Sequence, residues 1–278
     1  VFKKQSGSSA LLALFLAFAT FVPLKGRWPS FTKFLIWIFR DGQDYFEFRL
    51  VEEGASFKKG QAYLLAGYPH GIFNVGMAYH AVALKDRYNT DNSAVAASVL
   101  FRLPLLRQLL SWAGAVPADR SALLKLMSKP FPQVTFITPG GIAEIFCGDH
   151  EKEEIYLKER KGFVKYALMS GACLVPCYYL GNTHLFQRIV GGHGGFLSRL
   201  SRKLRVSLVA FYGRWGLPLP FRRPLVALQG APIPVKQIKQ PTKEQIDELH
   251  DQYMRALTAL YEKHRHLVGW DHRPLVVL

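Results

Sequence analysis

The sequence predicts a mixed α/β fold, with a largely parallel sheet flanked by helices and an apolar membrane-embedded segment in front of it. Three observations carry this. Short runs rich in Val, Leu, Phe and Tyr, several ending at Gly or Pro, recur from about residue 44 onward. Helix-like runs lie between them, and that alternation is what a parallel sheet covered on both faces requires. Residues 5–24 carry no charge, and twenty residues at ~1.5 Å rise span ~30 Å, about one hydrocarbon core.

The N-terminal elements come first. Lys3 and Lys4 precede the apolar run and Lys25 and Arg27 follow it, so the flanking charge sets no orientation. A cleaved signal peptide is the rival reading, weakened by the lack of a small-x-small cleavage site. Pro23 to Pro29 is a break, and Phe31–Phe39 is a second apolar run, too short to span alone. It reads as an interfacial helix or the return arm of a hairpin, giving membrane contact over residues 8–39. The expected organisation is an anchor over 1–40 and one catalytic domain over 41–278.

Within that domain the strand candidates are Tyr45–Val51, Ala62–Gly67, Ala94–Leu100, Val134–Thr138, Cys173–Leu180, Val206–Tyr212 and Leu225–Gly230. Helices are expected over Ile72–Leu84, Ser121–Ser128, Arg160–Ser170 and Thr242–His264. The last is the clearest: Ile246, Leu249, Tyr253, Leu257, Leu260 and Tyr261 recur at three- and four-residue steps. Thr242 and Gln245 have capping-box spacing at its start. Residues 186–205 stand apart, with a Gly-rich loop followed by Arg199, Arg202, Lys203 and Arg205. This is either a solvated helix face or a membrane-surface patch.

Composition narrows the function. Hydrophobic residues make up 49% and aromatics 13% of the 278 residues, which is globular. A mean hydropathy of +0.06 is high for a chain with no membrane contact. The net charge of +16 calls for an anionic partner. Nucleic-acid motifs are absent, which leaves a membrane surface or a phosphorylated cofactor. Cys147, Cys173 and Cys177 are too few, and oddly numbered, for a disulfide framework, and nothing implies a metal.

Two segments carry chemistry. Tyr68-Pro69-His70-Gly71 places a histidine between a strand and a helix. The positive end of a helix dipole disfavours imidazolium, so His70 is poised as a neutral general base. Pro139-Gly140-Gly141-Ile142-Ala143-Glu144 ends another strand, at the carboxyl edge where α/β sites form. The Gly140 and Gly141 N–H groups are candidate oxyanion donors, and Glu144 is a candidate to orient His70 or hold an acceptor hydroxyl. Arg107, Arg120, Arg160 and Lys161 are candidates to bind cofactor phosphates, the last two at a helix start. Taken singly, each of these residues reads more readily as turn geometry or surface charge. No Gly-x-Ser-x-Gly elbow, Walker loop or His-Glu-x-x-His is present, so transfer without a covalent acyl-enzyme is expected.

Tyr68-Pro69-His70-Gly71 resembles the His-Pro-His-Gly block of the type-2 diacylglycerol acyltransferase family, which includes monoacylglycerol and wax-alcohol acyltransferases. Pro104 to Arg107 resembles its Pro-x-x-Arg block, and Gly140 to Glu144 its Gly-Gly-x-Ala-Glu block. Arg160 to Lys165, with Leu174 to Pro176 and Gly181-Asn182, resembles its longest block, and Gly230 to Val235 its Gly-x-Pro-Ile-x-Val block. These stand in the family's order. The resemblance implies a glycerolipid-acyltransferase-like fold and an acyl-CoA-dependent O-acyltransferase of endoplasmic-reticulum membranes and lipid droplets. It implies His70 as catalytic base, with Pro69, Gly71 and the Gly pair around the substrates, and an N-terminal membrane hairpin. Acyl-CoA is then a co-substrate with no bound cofactor. The expected partners are diacylglycerol or a related neutral lipid and a membrane, without nucleic acid; a homo-oligomer stays open. Two departures stand out. Tyr68 replaces the family's first histidine, and Gly181-Asn182-Thr183-His184 replaces Gly-Glu-Asn-Glu. Val75 occupies the place of the aspartate in the broader His-x-x-x-x-Asp pattern, and Glu144 is expected to substitute for it. The rivals are a lysophospholipid acyltransferase and a non-catalytic membrane-surface protein.

Overall fold

In the computed structural model the described residues are 22–24, 26–54, 57–58, 60–127, 133–147, 151–189, 195, 199 and 209–278. The charge-free run expected to enter a membrane lies almost wholly outside them, as does most of the basic loop at 190–208. Among the described residues no helix is long and apolar enough to cross a membrane. The second apolar run is a helix, α1 (Pro29–Asp41). It buries none of its residues and leaves Phe34, Trp37 and Ile38 exposed.

The remaining elements are, in order, β1 (Arg49–Glu52), β2 (Tyr63–Tyr68), α2 (Val75–Tyr88), β3 (Asp91–Ala96), α3 (Leu106–Trp112), β4 (Val116–Pro117), α4 (Arg120–Met127) and β5 (Gln133–Ile137). There follow α5 (Ile142–Ile145), β6 (Glu153–Ile155), α6 (Gly162–Ser170), β7 (Cys173–Leu180), β8 (Gln187–Arg188), β9 (Phe211–Tyr212), β10 (Val226–Gln229), α7 (Lys243–His264) and β11 (Leu275–Val277). Seven strands form the main sheet in the order β1-β10-β7-β2-β5-β3-β4. All neighbours run parallel except β7 and β10. The carboxyl ends of β7, β2, β5, β3 and β4 therefore share one edge.

Side-chain alternation sorts the core into two layers. Leu64, Ala66 and Tyr68 of β2 pack with Leu174, Tyr178 and Leu180 of β7 under α4, α6 and α7. Tyr63 and Leu65, with Val175, Cys177 and Tyr179, face the opposite way toward α2. The capping box at Thr242 and Gln245 is formed, and α7 buries the apolar stripe read from its periodicity. Several bounds differ from expectation. The run Ala94–Leu100 straddles β3 and a 3-10 turn at Ser98–Arg102, and Tyr45–Val51 opens as the 3-10 turn Asp44–Phe46. Within Val206–Tyr212 only the two residues of β9 are strand, and 206–208 fall outside the described residues.

Two short elements, β6 and β11, pair parallel away from the main sheet. Glu153 of β6 is fully buried. It accepts from Arg273 Nε and Nη2, from Thr183 Oγ1 and from Tyr178 OH at 2.9–3.2 Å. This ties the C-terminal segment to the loop after β7.

Candidate functional site

The turn after β2 carries His70 to the carboxyl edge, with the Tyr68–Pro69 peptide bond cis. The His70 Nδ1 lies 2.8 Å from the Gly71 carbonyl oxygen, which can only accept. Nδ1 therefore carries the proton, and the Nε2 lone pair is left to take one. Burial holds the His70 pKa below its ordinary 6.5. A neutral imidazole with a free Nε2 is the form a general base needs.

Glu144 meets His70, but at the backbone: the His70 N–H donates to Oε2 at 2.8 Å. Oε1 accepts the Tyr156 N–H at 3.0 Å. The carboxyl group thus clamps two chain segments, and the imidazole orientation comes from Gly71. Burial pushes the Glu144 pKa up to about 8, against the pull of those two amides and of the Arg160 charge.

Gly140 has a steric role, because a Cβ there would overlap the Glu144 carboxyl group. Gly141 sits at φ +58° in front of α5, and its N–H donates to the Thr138 carbonyl at 3.3 Å. That amide, expected from the sequence as an oxyanion donor, closes its own turn here.

Asn182 is the positioning residue that reasoning from residue types alone passed over. It follows β7, next to β2 in the sheet, and is buried. Its Nδ2 donates to the Pro69 and His70 carbonyls at 3.3 and 2.9 Å, and its Oδ1 accepts the Gly76 N–H at 3.0 Å. One amide therefore pins the His70 turn to β7 and to the start of α2. Gly71, at φ +62°, leaves the room: a Cβ there would lie 2.7 Å from Asn182 Nδ2. The only signal in the sequence was the Gly181-Asn182 pair within a matching block.

A cavity of about 360 Å³ adjoins the turn. Gly71, Ile72, Glu144, Ile145, Phe186 and Phe221 form much of its wall, with Thr183, His184, Arg188 and Arg223 as polar lining. Cys147 also lines it, but its thiol is buried and donates to the Ala143 carbonyl at 3.3 Å.

The basic candidates are spread more widely. Arg160 is partly buried, packs over the Tyr156 ring at 4.9 Å, and has its Nε inside the protein without a hydrogen bond. Arg107 opens α3 with its Nε likewise unpartnered, and Arg120 opens α4 with its side chain exposed. They follow β3 and β4, two and three strands from β2, about 10 and 14 Å along the same edge at ~4.8 Å a strand. Lys161 lies apart from these, with its Nζ 2.6 Å from Asp247 on α7. Tyr68, which replaces the family's first histidine, is fully buried with its hydroxyl unpartnered.

Comparison with known proteins gives the family. The family model described as diacylglycerol acyltransferase matches residues 7–278. The 2-acylglycerol O-acyltransferase 1 of Bos taurus is 32% identical over 84% of this chain and 73% of its own. Acyl-CoA wax alcohol acyltransferase 2 of Homo sapiens is 28% identical over 94% and 83%, and diacylglycerol O-acyltransferase 2 of Rattus norvegicus 30% over 94% and 71%. A crystal structure of the 1-acyl-sn-glycerophosphate acyltransferase PlsC from Thermotoga maritima superposes at TM-score 0.49 with 14% identity, over 91% of this chain and 88% of that one. That likeness is too distant to bear on function. The chain is an acyltransferase and belongs to the diacylglycerol acyltransferase family.

Proposed function

We propose that this acyltransferase moves a fatty acyl group from acyl-CoA to the free hydroxyl of diacylglycerol, with His70 as general base. The observation that carries this reading is the His70 turn itself. Its Nδ1 is spent on the Gly71 carbonyl, its Nε2 is left as an acceptor, and its backbone is clamped by Glu144 and Asn182.

The acceptor hydroxyl attacks the thioester carbonyl carbon while Nε2 takes its proton. The tetrahedral intermediate collapses, the C–S bond breaks, and the CoA thiolate leaves with the proton that His70 returns. Transfer is direct, without an acyl-enzyme, in keeping with a sequence that has no Gly-x-Ser-x-Gly elbow. Glu144 and Asn182 act through the His70 backbone. Arg107, Arg120 and Arg160 hold the anionic end of acyl-CoA along the sheet edge, and the apolar wall of Ile72, Ile145, Phe186 and Phe221 admits the lipid. The setting is the endoplasmic-reticulum membrane and lipid droplets, with the N-terminal residues as the anchor.

Monoacylglycerol and a fatty alcohol are the competing acceptors, given the names of the relatives at similar identity. Labelled acyl-CoA offered with diacylglycerol, monoacylglycerol, a long-chain alcohol and lysophosphatidic acid separates them. In membranes, His70→Ala should lower transfer ~10²–10⁴-fold, the usual worth of a general base. Transfer in that variant within a few-fold of wild type would remove His70 from the mechanism. Label only in phosphatidic acid would reassign the acceptor.

A further inference from the structure

We propose that the turn Trp215–Leu219 inserts into the surface of an anionic phospholipid bilayer and holds the mouth of the cavity at that interface. The side chains at its tip are apolar and in solvent: Trp215 is 73% exposed, Leu217 51% and Leu219 45%. Phe73 and Ile189 are exposed as well.

The turn is built. The Gly213 N–H donates to the Leu217 carbonyl at 2.7 Å, and the Arg214 N–H to the Leu219 carbonyl at 2.8 Å. A Cβ on Gly213 would overlap that Leu219 oxygen, and Trp215 itself sits at φ +59°. The Tyr45 hydroxyl ties the end of the turn down by donating to the Pro220 carbonyl at 2.8 Å. Phe186 lies against its base, 3.3 Å from where a Gly213 Cβ would sit, and packs edge-on with Phe73 and Phe211, the three ring centroids 5.2–5.4 Å apart. A rigid backbone that holds a Trp and two Leu outward gains nothing in water, whereas their burial in a bilayer interface is favourable.

Charge identifies what covers this tip. Arg214 packs over the Trp215 ring at 4.3 Å, and Arg222 and Arg223 follow in solvent. Apolar side chains with a collar of arginines match an anionic membrane surface, which attracts basic residues beside it. A second copy of this chain, at +16, would be repelled by the same collar.

Phe221 and Arg223, just past the turn, are also cavity wall, as is Phe186 beneath it. Insertion of the tip therefore brings the cavity to the bilayer. That last consequence rests on the acyl-transfer reading; the insertion itself does not.

The test uses the full chain with an environment-sensitive fluorophore on Leu217→Cys, and a control label on Glu248→Cys of α7. Each is mixed with vesicles of phosphatidylcholine containing about 30 mol% phosphatidylserine and nitroxide-bearing acyl chains. The expected result is a blue shift and several-fold stronger quenching at 217 than at 248. Arg214→Glu with Arg222→Glu should weaken vesicle binding, read by titrating the quenching at 217, by at least about thirtyfold without changing the melting temperature. Equal quenching at the two positions, absence of vesicle binding, or an unchanged response on pure phosphatidylcholine overturns the proposal. No activity is read, so the result is independent of whether His70 catalyses transfer.

Discussion

At the scale of single residues, the site is a backbone clamp around one imidazole. Asn182 satisfies two carbonyls and one N–H that would otherwise be buried without partners. Asn182→Ala should cost ~1–3 kcal/mol in stability. It should also lower kcat more than it raises KM for acyl-CoA, since it frees the His70 turn and touches no phosphate site. Chemical denaturation together with steady-state kinetics would check both. The pH behaviour of the site follows from two of the buried titrating groups, His70 and Glu144. His70 has its pKa depressed, so the base form is lost only as pH falls below the ordinary histidine range, and the acid limb of kcat/KM should lie under 6.5. Glu144 has its pKa raised from 4.5 to about 8, so its burial contributes fully below pH 4.5, where both folded and unfolded carboxyls are protonated. Between 4.5 and about 8 the unfolded chain ionises first, and stability falls as pH rises. Glu144→Gln should flatten that slope, read as melting temperature against pH; an unchanged slope would assign it to other groups.

At the scale of elements, the end of a helix far from the chemistry bears on stability alone. The capping box of α7 offers a clean measurement: Thr242→Ala should cost ~1 kcal/mol by denaturant titration and leave transfer unchanged. This helix was legible because its apolar stripe repeats at helical period and its cap is written in two residues. The strands β2, β5, β7 and β10 were legible for a like reason, as buried apolar runs bounded by Gly or Pro. Short elements held by distant partners were not. The three-residue strands β6 and β11 have no pattern of their own and exist because they pair with each other. The same limit applied at the site. His70 and Glu144 could be singled out by residue type and position at strand ends. That Glu144 would hold a backbone amide, that the Gly141 amide would be spent on its own turn, and that Lys161 would pair with Asp247 are facts of tertiary placement.

At the scale of the whole molecule, one parallel sheet edge gathers what the chain disperses, and a buried ion pair locks its flank. Glu153 is fully buried and Arg273 nearly so. Removing one partner strands the other charge in the interior, a loss of ~3–5 kcal/mol. Arg273→Ala should therefore show a large drop in melting temperature. Because Thr183 hangs on the same carboxylate beside Asn182, the variant should also lose activity at temperatures where it remains folded. A melting temperature within a degree or two of wild type would show that the pair does not hold this flank.

The β6–β11 pairing also sets an order of events during synthesis. The Leu278 carbonyl accepts the N–H groups of Leu157 and Lys158 at 3.1 and 2.8 Å, and the Leu278 N–H donates to Ile155. These contacts bracket Tyr156, whose amide holds Glu144. The nascent polypeptide exposes β2 early, but its His70 turn is pinned only once Glu144 and Asn182 have followed. It cannot complete the wall behind Glu144 until residues 275–278 have left the exit tunnel. A translating chain thus carries His70 long before it carries a finished site. A translation-arrested polypeptide still holding these residues in the tunnel would be inert.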